Sequence, residues 1–144
     1  MKKTLVIVAG PTASGKTQLA INLALHFNSV IVSADSRQFY RELSIGTAKP
    51  SEIELHTVQH YFINSHSISE PFNAGDYGVQ ATDLLNNLFL EHEIVIMAGG
   101  SGLFIDAVIN GIDSVNNSTV NDVIQCGWFF KDIHPHRTWV GIIC

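Results

Sequence analysis

The chain has 144 residues, of which 46% are hydrophobic and 15% charged, and eight Lys and Arg against 13 Asp and Glu give a formal charge of −5. So high an apolar share with so little net charge excludes disorder over most of the length, and the length suits one self-sufficient core rather than two. Eleven Gly without a strict period and only two Cys exclude collagen-like and disulfide-stapled folds. Cys126 and Cys144 form no CxxC pair, so a reducing cytoplasm is the expected compartment.

The start, MKKTLVIVA, has the charged and apolar regions of a secretory leader. Its apolar run spans only about five to seven residues, and a phosphate-loop pattern follows where a small-residue cleavage site would stand. Residues 4–9 (TLVIVA) therefore read as a strand buried on both faces. No run reaches the roughly 18 residues of a membrane span, so no membrane is expected and the sequons at Asn116 and Asn117 carry no meaning.

Gly15 or Lys16 opens a helix in which Ala20, Leu23, Ala24 and Phe27 form one apolar stripe. Residues 30–34 (VIVSA) predict a second buried strand, followed by a loop-rich region broken at Gly46 and Pro50 and a short strand at 60–64. Tyr77, Ala81, Leu84, Leu85 and Leu88 repeat at helical spacing. Residues 94–97 (IVIM) predict a third buried strand, which Gly99-Gly100-Ser101-Gly102 turns into a helix ending at Gly111. This order implies an α/β fold: a P-loop NTPase-like parallel sheet with helices on both faces and right-handed crossovers. Residues 1–113 are the expected core. The tail, 114–144, is turn-rich at Asn116–Thr119, then crowds Trp128, Phe129, Phe130 and Trp139 without a period, and is expected to be atypical, either non-native or poorly ordered. These aromatics could stack bases, but core packing or disorder is the expectation.

Overall acidity argues against a nucleic-acid partner, yet Lys16, Arg37, Arg41 and Lys49 fall in one early stretch. No Lys or Arg occurs in residues 50–130. A fold gathering residues 16–49 would own one positive site on a negative body.

Gly10-Pro-Thr-Ala-Ser-Gly15-Lys16-Thr17 matches G-x-x-x-x-G-K-[ST] at every fixed position, between a predicted strand and a predicted helix. The glycines let backbone N–H groups of Thr12, Ala13, Ser14 and their neighbours curl around phosphate oxygens, and the helix N-terminus adds partial positive charge. Lys16 supplies a full charge and the Thr17 hydroxyl a ligand for Mg²⁺. A nucleotide hydrolase needs an acid closing another strand. The third strand ends without one, which leaves Asp35 after the second. Asp35 could hold a metal, act as a general base, or satisfy loop amides. Gly99–Gly102 forms a second candidate anion turn at the same sheet edge, and a diphosphate between two helix N-termini, with Asp35 between them, suits transfer of an activated group.

GPTASGKT, SADSRQFYRELSIGTAKP (33–50), HYFINSHSISEPFNAGDY (60–77) and AGGSGLFIDAVINGID (98–113) follow one another in an order that resembles the tRNA dimethylallyltransferases. The resemblance spans about residues 3 to 113, and faintly to Gln125. It implies a mostly monomeric enzyme that moves a prenyl group from dimethylallyl diphosphate to N6 of the adenosine beside the anticodon. It further implies Asp35 as general base, Thr17 placing Mg²⁺ on the leaving diphosphate, and Ser101 supplying the leaving-group hydroxyl where the family has Thr. Phe104 stands where the family has Tyr. Ser36 and Gln38 fall in the block contacting the target nucleotide, with Arg37, Arg41 and Lys49 near its phosphates. An adenine N6 is reachable only when the base is unstacked.

Family members are considerably longer, and residues 126–144 match nothing in them. The chain reads as a truncated or frame-altered product or a fragment, with weak or absent activity expected. Lacking later strands, residues 4–9 could be an exposed edge unless Trp128–Phe130 cover it. An adenylate (AMP or ATP) prenyltransferase and a P-loop nucleotide-binding or kinase-like module remain as alternatives. His56, His60 and His66 have loose metal-like spacing but lack a completing Cys or carboxylate, and are expected to be loop-surface residues.

Overall fold

A computed structural model of the chain describes residues 3–10, 15–44, 47–112, 128–134 and 137–143. Its elements in order are β1 (Lys3–Ala9), α1 (Lys16–His26), β2 (Ile31–Ser33), α2 (Glu52–Thr57), β3 (His60–Tyr61) and α3 (Ala74–Glu91). β4 (Ile94–Gly99), α4 (Gly102–Ile112), β5 (Trp128–His134) and β6 (Arg137–Ile143) follow. The strands form one sheet in the order β3-β2-β4-β1-β6-β5. All neighbours pair in parallel except β5 with β6.

Because side chains alternate across a strand, the continuous apolar runs supply both faces of the sheet at once. Leu5, Ile7, Val32, Val95 and Met97 meet Tyr77, Ala81, Leu85, Phe104 and Val108 of α3 and α4. Val6, Val8, Ile31 and Ile96 meet Ala20, Ile21 and Ala24 of α1 on the other face. Each buried Val, Leu, Ile, Phe or Met among them contributes about 1.5–3 kcal/mol on leaving water. The expected doubly covered parallel sheet is thus observed.

Several boundaries differ from expectation. Ile21, not Phe27, completes the buried face of α1; Phe27 caps the helix and is 40% exposed. Gly111 lies inside α4 rather than ending it. The short strand stops at Tyr61, because Phe62 and Asn64 adopt left-handed backbone (φ 63° and 53°) that no strand accommodates. The loop-rich region holds α2, whose capping box joins the Ser51 hydroxyl to the Glu54 N–H and the Glu54 carboxylate to the Ser51 N–H. Trp128–Phe130 do not lie against β1. Arg137–Ile143 do, in register from Lys3↔Arg137 to Ala9↔Ile143, and β5 sits one strand further out. Asn116, Asn117, Cys126 and Cys144 lie outside the described residues.

The carboxyl ends of β2 and β4 meet at backbone contact. Ala34 N–H donates to the Ala98 carbonyl at 2.8 Å, and Ser101 N–H donates to the Ala34 carbonyl at 3.3 Å. A Cβ at Gly99 would run into the Ala34 carbonyl and its carbon. Beneath this contact the Tyr77 hydroxyl donates to the Ser33 carbonyl at 2.8 Å, and the Tyr77 ring stacks on Phe39 with centroids 5.2 Å apart. Gly99→Ala is expected to lower the unfolding free energy by about 3 kcal/mol, since rigid backbone must yield; urea unfolding measures this, and an effect below 1 kcal/mol would contradict the contact.

Candidate active site

The phosphate-loop motif begins at Gly10, directly after β1, and includes Gly15, whose φ of 86° only glycine adopts without strain. Lys16 opens α1 and is 7% exposed; Thr17 follows it on the first turn. Thr12, Ala13 and Ser14 lie outside the described residues. Parallel pairing aligns Ala9 with Gly99, so the two glycine turns stand side by side: a Cβ at Gly100 would sit 3.1 Å from the Gly10 carbonyl oxygen. The expectation that both turns open at one sheet edge is met.

Asp35 follows β2 at the same edge. In lateral order, however, β4 separates β2 from β1, so Asp35 does not lie between the two turns. The Gly99–Gly102 turn is the middle element, with Asp35 on one flank and Gly10 on the other. One Asp35 carboxylate oxygen accepts the Arg37 N–H at 3.0 Å, and its carbonyl accepts the Gln38 N–H at 3.1 Å, closing a turn over residues 35–38. Asp35 thus satisfies a loop amide and remains half-exposed at the edge. The hydroxyl of Ser101 accepts the Ser36 N–H at 3.1 Å and donates to the Ser36 hydroxyl at 3.2 Å, tying the Asp35 loop to the glycine turn.

Lys16, Thr17, Ser33, Gln38, Pro50, His60, Ile63 and Gly99 are among the residues lining a small, partly open cleft at this edge. Gln38 is 7% exposed and bonded on three sides: its amide nitrogen donates to the Thr47 (3.2 Å) and Ala48 (3.1 Å) carbonyls, and its oxygen accepts the Ser33 hydroxyl at 3.1 Å. Of the four cations expected to gather, Arg37 and Arg41 are exposed, Lys16 is buried at the cleft, and Lys49 is turned to internal acceptors. Phe104, lacking the family's hydroxyl, packs against Phe39 and Tyr77 at 5.2 and 5.0 Å.

Burial holds the His60 imidazole below its ordinary value, opposed by a contact of its Nδ1 with the Val58 carbonyl and by the Glu54 charge. His56 contacts the Glu52 carbonyl within its own helix, and His66 stacks on Phe72 at 3.9 Å. Among the described residues no three His, Cys, Asp or Glu gather around a metal position. Sequence reasoning missed Ser33, Ile63 and Asn64; only the Asn at a turn carried a signal, its tolerance of left-handed backbone.

Gly15→Ala is expected to cost about 1–2 kcal/mol, the left-handed penalty of a Cβ, and to weaken pyrophosphate binding, read by calorimetry. For His60 the folded value lies below the unfolded one, so its stabilising contribution is complete above the unfolded value of about 6.5. It is lost as pH falls through the lower folded value. His60→Gln should therefore flatten the fall in stability on acidification, measured by urea unfolding at a series of pH values.

The sequence model described as IPP transferase matches residues 38–127. A tRNA dimethylallyltransferase from Cytophaga hutchinsonii is 50% identical over 115 residues, 80% of this chain and 38% of that protein. Another, from Flavobacterium johnsoniae, is 50% identical over 111 residues, 77% of this chain and 36% of its own length. Among solved structures, the full-length tRNA isopentenylpyrophosphate transferase of Bacillus halodurans superimposes with a TM-score of 0.71 at 36% identity, covering 83% of this chain and 39% of that one. The Staphylococcus epidermidis tRNA delta(2)-isopentenylpyrophosphate transferase gives 0.70 at 37% identity, over 74% and 35%. The chain spans little more than a third of the length of the relatives it matches. With the match running from Gln38 past the last described residue of α4, the chain belongs to the IPP transferase family.

Proposed function

We propose that the chain acts in the transfer of a dimethylallyl group from dimethylallyl diphosphate to N6 of the adenosine adjacent to the anticodon, with the tRNA anticodon stem-loop as acceptor. The observation that supports this reading is the convergence of two glycine turns, Lys16 and the Asp35 carboxylate at one edge of the sheet. In this reaction the N6 lone pair forms a bond to the allylic carbon. The bond from that carbon to the diphosphate oxygen breaks, its electron pair leaves on the diphosphate, and the N6 proton passes to Asp35.

In this reading Gly10, Thr12, Ala13, Ser14, Gly15 and Lys16 cradle the diphosphate, and the Ser101 hydroxyl turns toward the leaving group. Asp35, Ser36, Arg37, Gln38 and Ser101 form the set beside the acceptor RNA. Thr17 would hold Mg²⁺, which when bound offsets charge building on the diphosphate. A hydroxyl ligand suits an ion that keeps waters and substrate oxygens as its other ligands. A cytoplasmic location and a monomeric state accompany the reading, and among the described residues no helix is long and apolar enough to cross a membrane.

The assay is single-turnover transfer of labelled dimethylallyl to an anticodon stem-loop. Asp35→Asn should reduce transfer by about 10²–10⁴-fold, the range for losing a general base, while pyrophosphate affinity is retained. Tight Mg²⁺-dependent ATP binding without affinity for dimethylallyl diphosphate would overturn the proposal in favour of a nucleotide-binding module.

A further inference from the structure

The segments 47–50 and 62–64 meet at the outer wall of the cleft, and both are held in backbone conformations that side chains resist. Ala48, Phe62 and Asn64 have φ of 49°, 63° and 53°. Residues with a Cβ persist there only where their surroundings over-determine them. Two of the bonds that hold these segments come from one ammonium group, and three from Gln38. Lys49 Nζ donates to the Tyr40 carbonyl at 2.6 Å and to the Asn64 side-chain oxygen at 2.7 Å. Asn64 N–H in turn donates to the Gln38 carbonyl at 3.0 Å, and the Gln38 side chain holds the carbonyls of Thr47 and Ala48. The chain neighbours of this knot, Pro50 and Ile63, line the cleft.

We infer that Lys49 is a positioning residue of the cleft: its ammonium ties residues 40, 49 and 64 together and so fixes the Pro50 and Ile63 wall, instead of contacting the phosphates of an RNA. A charge-assisted bond to each of two neutral oxygens suits this task, because it joins two loops with no partner charge to desolvate. Of Lys16, Arg37, Arg41 and Lys49, the two arginines are exposed and open to a polyanion. The inference rests on the proposed function only in taking the cleft as the substrate site.

The test uses Lys49→Met, Asn64→Gly and the double variant in the 144-residue chain. Glycine at 64 removes the acceptor while keeping the left-handed backbone accessible. In Lys49→Met, hydrogen-exchange protection of the residue-64 amide should fall by about tenfold or more, the factor for losing a bond to a charged donor. The double variant should lose no more than Lys49→Met alone, because the bond that Asn64→Gly removes is already gone in it. The Ile63 methyl resonance should shift, while the Leu85 and Val108 methyls of the core remain in place, a change that uniform loss of stability does not produce. Unchanged protection at residue 64, an unmoved Ile63 methyl, or additive losses would overturn the inference. A second arm measures the salt dependence of affinity for an anticodon stem-loop. Arg37→Met should lower the slope of log affinity against log salt by about 0.7–0.9, the share of one phosphate contact, and Lys49→Met should leave it unchanged; the reverse pattern overturns the inference. Failure of every variant and the parent to bind the RNA would count against the proposed function, and the exchange and methyl results would still decide the role of Lys49.

Discussion

The carboxyl ends of β2 and β4 approach until backbone touches backbone, and the cleft edge is built on that approach. Gly99 has no Cβ to hold Ala34 away, so the Ala34 carbonyl reaches the Ser101 N–H and the chain after β2 lies against the turn after β4. Only then can the Ser101 hydroxyl join both polar atoms of Ser36 and hold the turn that carries Asp35. The same turn brushes the Gly10 carbonyl on its other side. One missing methyl group therefore sets the spacing among three loops that are far apart in sequence.

An aromatic layer supports this edge from below. Phe39 descends from the Asp35 turn into contact with Tyr77, Phe72 and Phe104, and Tyr77 bonds its hydroxyl to the Ser33 carbonyl one residue before Ala34. Burial keeps that phenol neutral and a donor, its ionisation pushed well above the ordinary range. Phe104 packs its ring against Phe39 and Tyr77, contacts that need no hydroxyl on it. Chemistry at the top of the sheet and stability beneath it thus share Phe39 and Tyr77.

Strands buried on both faces were legible because their apolar runs are uninterrupted, and the phosphate-loop spacing located the cleft from one motif. Asp35 could be singled out by elimination among strand ends. The lateral order of β2, β4 and β1 could not be read this way, since periodicity within an element says nothing of its neighbours. α2 announced itself through Ser51 and Glu54, a capping pair overlooked beside Pro50. β5 and β6 are rich in aromatic and β-branched residues, yet without clean alternation they lacked a readable period. The destinations of the Gln38 amide and the Lys49 ammonium were not legible at all, because a long polar side chain chooses its acceptors only once the loops around it are folded.

The position of β1 has a consequence for the order of assembly. Thr4 pairs with Ile94 on one side and with Thr138 on the other. A ribosome delivers this strand well before both of its neighbours, and pairings so distant along the chain are slow to close. The nascent segment that will carry the anion cradle must therefore wait, apolar and unpaired, for partners not yet synthesised. For this topology that interval is the period of greatest exposure to aggregation, and the one in which a chaperone would matter most.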